Sequence, residues 1–249
     1  MSITYLGGPT AVLELAGLRL LTDPTFDPPG EYPVGNRKLV KLTDRVVDPA
    51  ELGRVDAVLL SHDQHVDNLD RAGREYLGKA PRAYSTPAAA ERLGEPVRGL
   101  RPWESTTLGK LRLTAVPAQH GPDGTEHLVG PVTGFVLAGD GLPTVYVSGD
   151  NASLRVVEEI AGRVGDVDVA VLFAGGAHTP LIPDGEYLTL NGAGAAEAAE
   201  ILRAGRVVPL HFEGWAHFTE GADALREAFE ARGLADRLHL PKPGETVRL

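Results

Sequence analysis

Cysteine is absent from the 249 residues. That excludes disulfides, thiolate catalysis, and zinc or iron–sulfur sites ligated by cysteine. Any metal must be held by His, Asp or Glu, with Asn, carbonyl oxygen or water in support. Long apolar runs are also missing, and none approaches the roughly 20 residues of a membrane-spanning helix. The first residues show no basic stretch followed by an apolar one, so no secretory signal is read. Positive charge is in deficit: 24 Lys and Arg stand against 34 Asp and Glu, a formal net charge of −10. This balance argues against nucleic acid or an anionic membrane as partner. It leaves room for a small anionic substrate, because a bound metal dominates its local field. These absences fit a cytoplasmic protein acting on a small molecule.

What is present suits a sizeable core, with 43% hydrophobic residues. Ala11 to Leu15 and Leu18 to Leu21 flank Ala16-Gly17 as a hairpin. Residues 27 to 49 carry several Pro and Gly with weak periodicity and read as a long surface loop, a kind that is often functional. Val55 to Leu60, apolar except for Asp56, reads as a buried strand. Helices are expected at Arg71 to Leu77, Pro87 to Leu93, Leu154 to Arg163, Ala195 to Ala204 and Ala222 to Arg232. Further strands are expected at Arg82 to Ser85, Thr106 to Leu108, Leu111 to Pro117, Val132 to Leu137, Thr144 to Ser148, Val167 to Leu172, Val207 to Leu210 and Thr246 to Leu249. Each half has strands and then strand–helix alternation, with no low-complexity linker between them. The simplest α/β architecture is a single domain over 1–249, with two packed sheets and outer helices.

The chemistry gathers where these strands end. After Val55–Leu60 come His62, Asp63, Gln64, His65, Asp67 and Asn68. Imidazole and carboxylate suit zinc, manganese or iron. The plainer reading is an acidic helix start in which Asp63 and Asp67 serve as caps. Recurrence favours the metal. His120 follows the strand ending at Pro117, Asp150 follows Ser148-Gly149, and His211 follows Val208-Pro209-Leu210. Taken singly, each is a structural histidine or a common turn. Four strand ends of one kind look like ligands converging on one rim, held by rigid strands.

In order and spacing these motifs resemble the metallo-β-lactamase superfamily, nearest its UlaG-like metal-dependent hydrolase branch. The resemblance covers nearly the whole chain. It runs from Thr4-Tyr5-Leu6-Gly7-Gly8-Pro9-Thr10 and Leu20-Leu21-Thr22-Asp23-Pro24 through Ser61-His62 to Leu69-Asp70. It continues in Trp103-Glu104-Ser105, Val116-Pro117-Ala118, Ser148-Gly149-Asp150 and Pro209-Leu210-His211. It implies a four-layer αββα sandwich. It also implies His62 and His120 on a first metal, Asp150 bridging two metals, and His211 on the second. The family loop reads His-x-His-x-Asp-His, and this chain departs from it. With one residue inserted after His62, the ligands are His62, His65 and Asp67. An ungapped count from His62 puts Gln64 in the place of a histidine. A third alignment runs from Asp63 through His65 and Asp67. The preferred set is His62, His65 and Asp67, because imidazole binds more strongly than Gln. The last histidine is Asn68 either way, which leaves one metal or two unequal ones. Gly8 stands where the family often has histidine.

Lesser candidates are Asp23, as a carboxylate orienting a ligand histidine or as a cap before Pro24; His178, touching substrate or simply exposed, with exposure preferred; and His217, which with Trp215 and Phe218 lines a pocket or packs in the core. His127 reads as a loop residue, His239 as structural or exposed, and Trp103 as packing. The expected reaction is hydrolysis of a small ester, lactone, amide or phosphodiester. The metal, zinc or manganese, acidifies a water and polarises the substrate. Asp150 holds the metal, and Asp67 binds it or orients the attacking water. The rivals are a redox or isomerising metalloenzyme on the same fold and a degenerate metal-binding protein. Homo-oligomers are compatible with edges and loops of this fold.

Overall fold

Period-two burial sets the first sheet. In the computed structural model, Ile3 and Tyr5 are fully buried between the less buried Ser2, Thr4 and Leu6. The structure describes residues 1–180, 182 and 185–249. The chain opens with β1 (Ser2–Gly7), β2 (Thr10–Leu15), β3 (Leu18–Thr22), β4 (Gly30–Val34), β5 (Arg37–Lys41), β6 (Ala57–Leu59), α1 (Arg71–Leu77), β7 (Ala83–Ser85), α2 (Pro87–Leu93) and β8 (Val97–Gly99). It continues with β9 (Ser105–Leu108), β10 (Leu111–Pro117), α3 (Glu126–Val129), β11 (Thr133–Ala138), β12 (Val145–Val147) and α4 (Leu154–Val164). It closes with β13 (Val169–Phe173), α5 (Gly192–Ile201), β14 (Arg206–Leu210), α6 (Ala222–Ala231) and β15 (Thr246–Arg248).

Two sheets carry the fold. One runs β15-β1-β2-β3-β6-β7-β8, and the other runs β14-β13-β12-β11-β10-β9. Their facing sides share one core, in which Leu13, Leu20 and Leu59 meet Leu113, Phe135, Val171 and Leu210. The outer face of the first sheet, with Val12, Leu21 and Val58, packs against Leu77 of α1 and Ala90 of α2. The outer face of the second, with Val136, Tyr146 and Leu172, packs under Val157, Ala199 and Phe229 from α4, α5 and α6. The result is an αββα sandwich, with each layer burying its apolar side on the next. Among the described residues no helix is long and apolar enough to cross a membrane.

Most expected elements form within a few residues of their expected ends. One expectation is corrected. Residues 27 to 49 are not an irregular loop, because β4 and β5 pair through them as a separate two-stranded ribbon. Gly35 turns the ribbon with a positive φ of 58°. The main chain after β5 is tied to the loop after β14, where Leu42 N donates to Gly214 O at 2.8 Å and Ala216 N to Val40 O at 2.9 Å. β8 and α3 are additional to the expected set.

β6, β10, β12 and β14 all end on loops that carry ligand-type side chains. Gly149 makes the β12 turn feasible. Its φ is 58°, and a Cβ there would lie 2.7 Å from Thr133 O and 2.8 Å from Ser61 Cβ. Only a residue without a side chain lets Asp150 come up against the Ser61–His62 loop.

Candidate metal centre

His62, His65, His120 and Asp150 each offer one donor atom, and these four atoms lie within 4.8 Å of one another. His62 Nε2 is 2.9 Å from His65 Nδ1, and His120 Nε2 is 3.2 Å from the same atom. Asp150 Oδ2 lies 3.6 Å from His120 Nε2 and 3.9 Å from His62 Nε2. His62, His120 and Asp150 are buried, and His65 is partly so.

The protonation of two rings follows from their outer partners. His120 Nδ1 faces the carbonyl oxygen of Leu188 at 2.7 Å. A carbonyl only accepts, so Nδ1 carries the hydrogen and Nε2 turns a lone pair inward. Ser61 Oγ donates its one hydrogen to Asp23 Oδ2 at 2.5 Å. It must therefore accept from His62 Nδ1 at 2.9 Å, which again leaves Nε2 bare. Two lone pairs and a carboxylate oxygen thus converge on His65 Nδ1. Burial holds the His62 ring well below the usual imidazole range, and burial with the neighbouring His120 lowers His65 to about 4. A single hydrogen on His65 Nδ1 can serve only part of this set of inward-facing donor atoms, whereas a divalent metal serves all four, so the residues fit one.

Asp23 does not cap a helix. Its Oδ1 accepts from Ser61 N at 2.6 Å, and through the Ser61 hydroxyl it fixes the His62 ring. Burial pushes its carboxyl up to about 7, against the hydrogen bonds from Ser61.

The inserted residue in the loop is accommodated by turning two side chains away. Asp63 takes two hydrogen bonds from the Arg92 guanidinium, including one from Nε at 2.9 Å. Gln64 donates to Pro131 O at 3.1 Å, and its Oε1 accepts from Asp63 N at 3.0 Å. Neither belongs to the cluster. Asn68 is buried, and its Nδ2 donates to Asp23 Oδ2 at 3.1 Å and Asp150 Oδ1 at 3.0 Å.

Asp67 and His211 lie alongside. Asp67 Oδ2 is 3.2 Å from His211 Nε2 and 3.0 Å from His217 Nε2. His211 Nδ1 is 3.4 Å from Asp150 Oδ1. His211 has a positive φ of 57°, and its N–H donates to Gly8 O at 2.7 Å. In place of the family's histidine, Gly8 leaves room that Trp215 fills, with its Nε1 3.5 Å from where a Cβ would stand. Burial raises Asp67 and Asp150, but the surrounding imidazoles outweigh it. His217 and His211 hold Asp67 well below the carboxylate range, and His211, His120 and His62 lower Asp150. Burial lowers His211, yet Asp150 and Asp67 raise it on balance.

A cavity of about 350 Å³ has His65, Asp67, His120, Asp150 and His217 among its lining residues. Its walls include Leu39, Leu128, Val129 and Ile182, with Arg37 and Lys38 from β5. His178 also lines it and is only partly exposed, so the preferred reading of a freely exposed loop histidine is corrected. From sequence, residues 27 to 49 and the segment 178 to 191 are expected to shape the pocket; both contribute lining residues, and residues 181, 183 and 184 lie outside the described residues. Arg37, Lys38, Leu128 and Ile182 were not singled out from sequence. They come from separate segments and share no spacing. A cavity of about 780 Å³ between α1 and residues 45–55 contains no histidine among its lining residues. Of the remaining histidines, His127 is exposed in α3 and His239 is partly buried. Trp103 lies under the Arg163 guanidinium and donates to Glu159.

An αββα sandwich with a buried His₃Asp cluster at its strand ends defines a metal-dependent hydrolase of the metallo-β-lactamase fold. The model of the beta-lactamase superfamily domain matches residues 18–212. A UPF0173 metal-dependent hydrolase of Opitutus terrae is 32% identical over 256 residues, covering 100% of both chains. Another, of an Exiguobacterium species, is 30% identical with the same coverage. The chain therefore belongs to the beta-lactamase superfamily and, within it, to the UPF0173 metal-dependent hydrolases. Among solved structures, an isothiocyanate hydrolase from Delia radicum gut bacteria superposes with a TM-score of 0.86 at 22% identity. The match covers 100% of this chain and 99% of that one, a likeness of fold.

Proposed function

We propose that the protein hydrolyses a small ester, lactone, amide or phosphodiester at a zinc or manganese centre held by His62, His65, His120 and Asp150. One observation carries this reading: the cluster of inward-facing donor atoms lies beside the floor of a largely apolar cavity. A divalent metal in a set of three imidazoles and a carboxylate supplies Lewis acidity and an acidified water.

The chain's own residues supply the rest. Asp67 lines the cavity floor as a carboxylate and accepts a hydrogen bond from the attacking water, orienting it. Leu39, Leu128, Val129 and Ile182 receive an apolar group and exclude water from it. Arg37 and Lys38 face an anionic or strongly polarised end of the substrate. His178, at the wall, offers a hydrogen bond to the substrate's polar group. The isothiocyanate hydrolase of similar fold extends the substrates worth assaying to small organic isothiocyanates. The absence of cysteine fits a cytoplasmic setting.

The test is a panel of aryl esters, lactones, amides, phosphodiesters and isothiocyanates, offered to protein reloaded with zinc or manganese. Metal-dependent turnover of at least one class is expected. His120→Ala is expected to lower it roughly 1000-fold, the scale of removing one essential group. The reading fails if no class is turned over and His120→Ala binds as much metal as the parent.

A further inference from the structure

We infer that the substrate is an amphiphilic monoanion, an apolar chain or ring with one carboxylate remote from the bond that is cleaved, and that Arg37 reads this carboxylate. This deepens the hydrolase reading of the same cavity and rests on it.

Side chains alternate between the two faces of a pair of strands. In the ribbon Val34 stands opposite Arg37, and Tyr32 opposite Leu39. Val34, Arg37 and Leu39 therefore share one face, and all three line the cavity. Exposure falls along β5, from Arg37 and Lys38 through the partly buried Leu39 to the buried Lys41. The strand thus runs inward from the mouth with its cations outermost. At the other end of the cavity His120, Asp67 and Asp150 are buried. A ligand that reaches from the donor cluster to the mouth meets apolar walls first, Leu39 and Ile182 among them, and a cation last.

Arg37 and not Lys38 is that cation. Lys38 touches the cavity from the opposite face of the ribbon, across from Pro33, and its ammonium is paired with Glu31. Among the described residues Arg37 has no carboxylate partner. Its Nη1 donates to the hydroxyl of Thr179, a neutral group on another wall of the cavity. That bond leaves the Nε–Nη2 edge, which takes a carboxylate side-on through two parallel hydrogen bonds. The charges of the cavity agree. Asp67 and Asp150 offset a divalent ion, and Glu31 offsets Lys38. Arg37 is the surplus, so one negative charge suits it, and a doubly charged phosphate would be left half paired.

The experiment measures the binding of ligand pairs to zinc-loaded protein by calorimetry. Adipic, suberic and sebacic monohydroxamic acids are each compared with the methyl-ended hydroxamic acid of the same chain length. The hydroxamate end engages the metal in both members of a pair, so the nature of the cleaved bond does not enter. In the parent, the carboxylate-ended member of at least one pair is expected to bind about fivefold or more tightly than its partner, the scale of a bidentate ion pair open to solvent. Arg37→Gln is expected to abolish that preference while holding the methyl-ended affinity within about twofold. Arg37→Lys is expected to restore part of it. No preference at any chain length in the parent overturns the inference. So does a preference that survives Arg37→Gln, or equal weakening of both members, which would make Arg37 a wall and not a charge. A parent that binds neither member of any pair would instead defeat the metal-centre reading of the cavity, and this inference with it.

Discussion

The side-chain amide of Asn68 donates to Asp150 Oδ1 at 3.0 Å. The same nitrogen reaches Asp23 Oδ2 at 3.1 Å, so a neutral donor separates two buried carboxylates. Asn68→Leu keeps the volume and removes the donor. Metal-free Asn68→Leu is expected to lose about 2 kcal/mol of stability, the cost of leaving buried acceptors short of a partner. Urea unfolding in the presence of chelator measures this. An unchanged midpoint would show that the amide bridge contributes nothing.

The turned-out pair Asp63 and Gln64 separates two readings of the ligand loop. Gln64→Ala should retain the tightly bound metal, because the Gln64 amide faces Pro131. His65→Ala should lose about 100-fold or more in metal affinity, since one of four ligands is gone. Competition with a chromogenic chelator reports both values. The reverse pattern would place Gln64 on the ion.

Acid should destabilise the metal-free protein. An unfolded imidazole titrates near its ordinary 6.5, whereas burial holds folded His62 well below that and folded His65 near 4. Above pH 6.5 both states are unprotonated, and stability is at its full value. Between 6.5 and about 4 the unfolded chain takes up protons that the folded chain refuses. Stability then falls by roughly 1.4 kcal/mol per pH unit for each group. His211, raised by Asp150 and Asp67, has the opposite sign. Its contribution is full below 6.5 and is lost as pH rises through its folded value. Below 6.5 the His211 contribution is constant, and the group that opposes is Asp23, whose buried carboxyl, raised to about 7, holds a proton that the unfolded chain releases. Two imidazoles against this one carboxyl leave a net loss on acidification. Chelated protein unfolded in urea at pH 7 and at pH 5 decides the matter, and equal or greater stability at pH 5 contradicts the assignment.

Gly73 marks a contact of backbone on backbone. A Cβ there would fall 1.8 Å from Pro24 O. α1 is capped by Asp70, whose Oδ1 accepts from Gly73 N at 2.7 Å and whose Oδ2 accepts from Asp27 N at 2.6 Å. The helix therefore cannot move aside without breaking its own cap. Gly73→Ala should cost about 3 kcal/mol or more, seen as a lowered Tm. A variant with the parent's Tm would mean that α1 stands further from Pro24.

The sheets were legible because period-two burial leaves its mark in sequence, as in Ile3 and Tyr5 of β1. The strand-end residues were legible for a related reason, since rigid strands deliver side chains to one rim. The β4–β5 ribbon was not. Its apolar residues Tyr32, Val34 and Leu39 are few, only partly buried and interleaved with charge, and it carries Pro33 in mid-strand, so the signal that reveals a strand is weak even though Gly35-Asn36 supplies a turn. The position of His65 was legible only as one of several alignments. What decides it is the pairing of Asp63 with Arg92, a contact between residues 29 positions apart. The meeting of His217 with Asp67 is more distant still, and no local spacing announces it.

The ribbon that walls the cavity contributes none of the four clustered donor atoms. It forms its own two-stranded sheet, and Arg37 hydrogen-bonds across to Thr179. Selectivity and reactivity are thus written on separable stretches of chain. A grafted ribbon from a relative would change which molecules are admitted while leaving the reacting groups as they are. Substrate range can diverge here at little cost to the fold.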